Sequence, residues 1–110
     1  MIELSKSDKK TAREIIKKGM MNEFEKGMNK AENILSEWKS SKSNPQDAYH
    51  KLYEHITLFD KGIVRRYDNM RTDDLIFVVI QQLREGLIMQ KDLGTFSDVS
   101  KLEIQRILSL

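Results

Sequence analysis

Apolar residues recur along the first third of the chain at Ala12, Ile16, Met20, Phe24, Met28, Ala31, Leu35 and Trp38, at spacings of four and three, with Lys, Glu and Asn between them. That period predicts one long amphipathic helix over about residues 8–40. Ser7 is placed to cap it, with Asp8 in its first turn, and the polar run from Ser40 to Pro45 stops it. Such a helix is about 50 Å long, whereas a compact chain of this size has a radius of gyration of about 13 Å. The apolar stripe therefore overhangs its own domain, and pairing with the same helix of a second copy is the economical way to cover it. This predicts a homodimer through the long helices, with Ile16, Met20, Phe24, Met28 and Leu35 in the seam.

Asn44 followed by Pro45 reads as a cap and a first helical position, with Asp47 at the positive end of the dipole. The second helix, about 45–61, carries Ala48, Tyr49, Leu52, Ile56 and Phe59 on one face, and Gly62 ends or kinks it. Thr72, Asp73 and Asp74 open a third helix, about 72–86, with Leu75, Val79 and Leu83 in one stripe widened by Ile76 and Ile80. Gly86 then Leu87 fits a Schellman ending. After a turn through Gly94, Ser97 and Asp98 start a last helix, about 97–109, carrying Val99, Leu102, Ile104, Ile107 and Leu108. No strand alternation or repeat intervenes, so the expected class is all-α: one long helix and three shorter ones in a single domain, 1–110.

Composition narrows the function classes. The 110 residues include 19 Lys plus Arg against 17 Asp plus Glu, a net charge of +2. Mixed signs leave little of the polyelectrolyte attraction that drives nucleic-acid binding. With 0 Cys and 2 His there is no disulfide, thiol nucleophile or thiolate zinc site. The longest apolar run, Leu75–Ile80, is far short of the about twenty residues of a membrane span, and Met1–Lys10 has no signal-peptide core. A cytoplasmic protein, with no membrane or nucleic-acid partner, is expected.

Candidate catalytic chemistry is sparse. His50 and His55 diverge by about 140° on a helix and cannot chelate one ion together. His50 and Glu54 share a face, a spacing more common in surface pairs than in general-base arrangements. Asp73 and Asp74 sit where a helix dipole favours carboxylates. The basic run Lys6, Lys9, Lys10, Arg13, Lys17 and Lys18 is interrupted by Asp8 and Glu14, and reads as a solvated face. No phosphate loop, ligand cluster or activated nucleophile emerges, so neither an enzyme nor a cofactor is expected. The residues alone lead to a small helical dimer that binds a partner they do not identify.

From Tyr67 the chain reads Tyr-Asp-Asn-Met-Arg, then from Leu75 Leu-Ile-Phe-Val-Val-Ile-Gln-Gln-Leu-Arg-Glu-Gly-Leu-Ile, then Asp92 and Leu93, and it ends on Leu110. This resembles the fluorescence recovery protein family of cyanobacteria, which carries a Tyr-Asp followed by Arg, an Ile-Phe-Val stretch, a Gln-Leu-Leu-Lys-Glu-Gly-Leu-Val helix end and a helical tail of matching length. The likeness covers Tyr67–Leu110 well and Ala48–Arg66 loosely; the first helix matches in length and pattern. It implies an all-helical homodimer that binds the photoactivated orange carotenoid protein, speeds its return to the orange form and ends phycobilisome quenching in photoprotection, without enzymatic chemistry. The family's contact surface includes a Trp on the second helix, a His and an Asp three and four residues later, and an Arg ten residues after the Trp. Those positions hold His50, Tyr53, Glu54 and Asp60, of which Glu54 keeps the chemistry. The family's Phe in the third helix is Phe77, and a basic residue in its last helix becomes Glu103.

Overall fold

The computed structural model describes residues 3–110. Those residues form helices α1 (Lys6–Lys39), α2 (Pro45–Tyr67), α3 (Leu75–Arg84) and α4 (Asp98–Leu108), with 3-10 turns at Thr72–Asp74 and Gln90–Thr95 and no strand among them. The class is all-α with one long N-terminal helix. No helix is long and apolar enough to cross a membrane among the described residues.

Local chemistry accounts for most helix ends. The Asn44 side chain accepts the Asp47 N–H at 2.8 Å with Pro45 at the first position of α2, and Ser97 caps α4 by accepting from Ser100 N–H. At the end of α3, Gly86 adopts φ 74, its N–H donates to the Leu83 carbonyl at 3.2 Å, and Leu87 N–H donates to that of Gln82 at 2.9 Å. That is the Schellman ending the Gly-Leu pair predicted.

Three ends differ from expectation. Ser5, not Ser7, caps α1, its hydroxyl accepting the Asp8 N–H at 3.1 Å. α2 does not stop near 61; it continues through Gly62 to Tyr67. A lone helical glycine costs only about 1 kcal/mol, and anchors beyond it offset that: Tyr67 Oη donates to Glu23 at 2.6 Å, and Arg66 Nη1 lies 3.2 Å from the same carboxylate. The third helix begins as a 3-10 turn, closed by the Arg71 N–H donating to Asp74 at 2.9 Å, and becomes α-helical only at Leu75.

The chain divides into two compact units, residues through Asn22 with Met70–Leu110, and Glu23–Asn69. In the first unit the core is built from Ala12, Ile15 and Ile16 of α1, the Leu75–Ile80 run apart from Phe77, and Leu87, Ile88, Leu93, Phe96 and Ile104. Polar residues are buried with it, Gln82 and Asp8 among them. Gln82 donates to the Ile16 carbonyl at 3.0 Å, its amide lying where Gly19 has no Cβ. Asp8 accepts Ser97 N–H at 2.9 Å, Ser97 Oγ at 2.5 Å and Ser100 Oγ at 2.6 Å, which ties α1 to the start of α4. Of the apolar residues that α4 carries, Val99 and Leu102 are exposed.

The second unit is a hairpin of α1 and α2. Gly27 lies against the Phe59 ring, and the carbonyl of Gly27 is 2.8 Å from His55 Nε2. Ala31, Ala48 and Ile63 are its buried apolar side chains. The inner face of α2 thus runs through Ala48, Leu52, His55, Phe59 and Ile63, whereas Tyr49 and Ile56, expected there, are exposed. The small residues at 27, 31 and 48 bring the two helices so close that little apolar surface is enclosed between them.

Candidate functional site

The candidate site is the surface of the hairpin. A helix turns about 100° per residue, so the α1-facing line through Ala48, His55 and Phe59 leaves His50, Tyr53, Glu54 and Asp60 on the outer half of α2. All four are exposed, Tyr53 at 64%. They span about 120° of that surface, Glu54 at one margin and Asp60 at the other, with Tyr53 and His50 between. The Tyr49 and His50 rings meet edge-on, 5.6 Å between centroids. His55 points the other way, to Gly27, so the two histidines diverge, and among the described residues no group of His, Asp and Glu could hold a metal ion. Phe77, the remaining partner-contact expectation, lies on α3 in the other unit and is 40% exposed.

The expected dimer seam divides into two kinds of residue. Ile16 is only 4% exposed, covered within its own chain by the core that includes α3, and leaves little surface for a second copy. Met20 is half-buried, and Phe24 meets Phe59 edge-to-face at 5.8 Å while keeping an exposed edge. Met28 (67%) and Leu35 are exposed. On the same flank of the hairpin, α2 adds Tyr49 and Ile56, also exposed. The sequence pattern did not separate these classes because an amphipathic stripe looks the same whether its own chain or another covers it.

Electrostatics reinforce the scaffold more than any chemistry. Burial would push the Asp8 carboxyl up, but hydrogen bonds from Ser100, Ser97 and Ser5 together hold it below the usual carboxylate range. Lys18, 2.6 Å away, and the Met89 N–H do the same for Asp92. Glu103, where the family has a basic residue, is lowered by its pair with Arg106.

No family model, curated protein or solved structure matches the chain. The resemblance therefore rests on its own residues, and many of these hold the fold. Tyr67 binds Glu23, the Leu75–Ile80 run fills a core, Gly86 and Leu87 close α3, and Asp92 caps a 3-10 turn while pairing with Lys18.

Proposed function

We propose that this protein is a non-enzymatic regulatory binding protein of the fluorescence-recovery type, working as a homodimer on the orange carotenoid protein. The observation that carries this reading is the hairpin's uncovered surface: Met28, Leu35, Tyr49, Tyr53 and Ile56 are large, apolar or aromatic, and exposed. Exposed apolar area of that kind marks protein interaction more often than it marks a free surface. One flank, with Phe24, Met28, Leu35 and Ile56, serves the second copy; Met20 continues that seam along α1. The outer face of α2, with His50, Tyr53, Glu54 and Asp60, meets the partner, and Phe77 adds a separate contact.

Acceleration by such a protein is differential binding. A surface that holds the domain-separated form, and holds the transition state for redocking more tightly, speeds return without covalent chemistry. The experiment is recovery of the orange form after strong light, followed by absorbance with and without the protein. An accelerated return supports the reading, and an unchanged rate at saturating protein overturns it.

A second reading is that the same scaffold serves a different protein partner. His50 and Asp60 favour it, because they stand where the family has Trp and Arg, two residue types that dominate interface energies.

A further inference from the structure

The hairpin has another flank. Two adjoining depressions of about 400 and 300 Å³ lie between α1 and α2 there and share Lys30, His55 and Leu58. Ile34, Leu58 and Phe59 supply apolar surface; Lys30 lines both depressions, Lys26 one of them, and Lys51, Glu37 and Glu54 the other. We propose that this groove docks an acidic amphipathic helix of a partner protein, a binding role that adjoins the outer face of α2 at Glu54 and does not depend on the function proposed above.

Shape is the first argument. The furrow between two antiparallel helices is where a third helix seats its ridge of side chains, and Lys26 to Glu37 spans about 16 Å, three turns of such a helix. Leu58 is 59% exposed although its neighbours make a concave apolar surface, so a side chain entering the groove would cover it.

Charge is the second. Lys26 and Lys30 stand one turn apart on α1, a like-charge spacing that slightly destabilises a helix. Ion pairs among the described residues include Lys18–Asp92, Arg66–Glu23 and Arg106–Glu103, and none of these involves Lys26, Lys30 or Lys51. Carboxylates flanking an apolar ridge complement both the lysines and the floor. A nucleic-acid backbone would meet an apolar floor, which does not suit it. A second copy is better served by the opposite flank, where Met28, Leu35, Tyr49 and Ile56 offer far more exposed apolar surface.

The test uses the full chain and two fluorescein-labelled synthetic helical peptides, alike in a leucine ridge but flanked by Glu in one and Lys in the other, read by fluorescence anisotropy. Expected is saturable binding of the Glu peptide that weakens as salt rises, and no binding of the Lys peptide. The double substitution Lys26→Glu with Lys30→Glu should weaken binding about tenfold or more, with the melting curve and solution mass unchanged. Leu58→Asp should weaken it as well, and Lys51→Glu gives an independent charge test should the double variant fold poorly. Equal binding of both peptides, no binding of either, or full binding by the lysine variants would overturn the proposal. So would Leu58→Asp lowering the solution mass, which would make the groove an interface between copies.

Discussion

Asp8, in the first turns of α1, accepts the hydroxyl hydrogen of Ser100, in the first turn of α4, at 2.6 Å, with both residues almost wholly buried. The same carboxylate takes the N–H and hydroxyl of Ser97, so one side chain fastens the last helix of its unit to the first. A carboxylate near the start of a helix is ordinarily a dipole partner; here it is mainly a long-range clasp.

Because hydrogen bonds from Ser100, Ser97 and Ser5 outweigh the burial that raises it, the Asp8 pKa is lower folded than unfolded. Its stabilisation is therefore present above the ordinary carboxylate pKa and is lost as pH falls through that value and below it. Asp8→Ala should cost about 3 kcal/mol near neutral pH, since it leaves the Ser97 N–H and two hydroxyls without their charged acceptor. It should also flatten the acid limb of the stability curve. Denaturant melts of both proteins from pH 7 to pH 2 measure this; parallel curves would rule the clasp out.

Two glycines should respond in opposite directions. A Cβ on Gly19 would lie 2.4 Å from the amide of buried Gln82, which is already committed to the Ile16 carbonyl, so Gly19→Ala should destabilise by about 2 kcal/mol despite its better helix propensity. A Cβ on Gly62 would meet nothing within 4 Å, so Gly62→Ala should stabilise α2 by about 0.5–1 kcal/mol. Thermal melts of the two variants beside the parent decide it, and a shift of the same sign in both would contradict the packing described.

What the sequence made legible follows the range of the forces involved. The Asn44-Pro45 start and the Gly86-Leu87 end were readable because capping depends on a few neighbouring residues, as the Asp47 and Leu87 hydrogen bonds show. The end of α2 was not, because Glu23, far back in the chain, holds Tyr67 and Arg66. Tyr49 and Ile56 were misplaced because Gly27 and Ala31 draw α2 close along a line through His55, a residue no apolar pattern counts. Of the candidate site, His50, Tyr53, Glu54 and Asp60 do share an exposed face, but those positions were chosen by family likeness. The groove bearing Lys26 and Leu58 arises only when two helices are set side by side.

Ile16 and Met28 belong to one stripe by spacing and to opposite sides of the molecule's economy by burial. Ile16→Asp should unfold the protein, because an unpaired carboxylate in that core costs several kcal/mol. Met28→Asp should leave the helical signal of the single chain nearly intact while raising the dimer dissociation constant by about a hundredfold or more, if the flank is desolvated between copies. Light scattering across micromolar concentrations, with circular dichroism alongside, separates the two. A parent protein of monomer mass, or a Met28→Asp protein that dimerises as before, would remove the seam from this flank.

The outer face of α2 carries His50, Tyr53, Glu54 and Asp60. If it binds the orange carotenoid protein, His50 and Asp60 leave it short of an aromatic and an arginine anchor, so the parent protein should accelerate recovery of the orange form only weakly. Both positions are exposed, and the hairpin does not use either to hold itself together, so they can change without disturbing the scaffold. The pair His50→Trp and Asp60→Arg should then increase the acceleration. A buried aromatic or arginine anchor is typically worth about 2 kcal/mol or more, some thirtyfold in affinity. Glu54 stays in place to accept a charge-assisted bond, reaching one methylene further than the family's Asp. Strong acceleration by the parent would show that recognition never depended on these positions. An inert double variant with unchanged solution mass would assign the scaffold to a different partner.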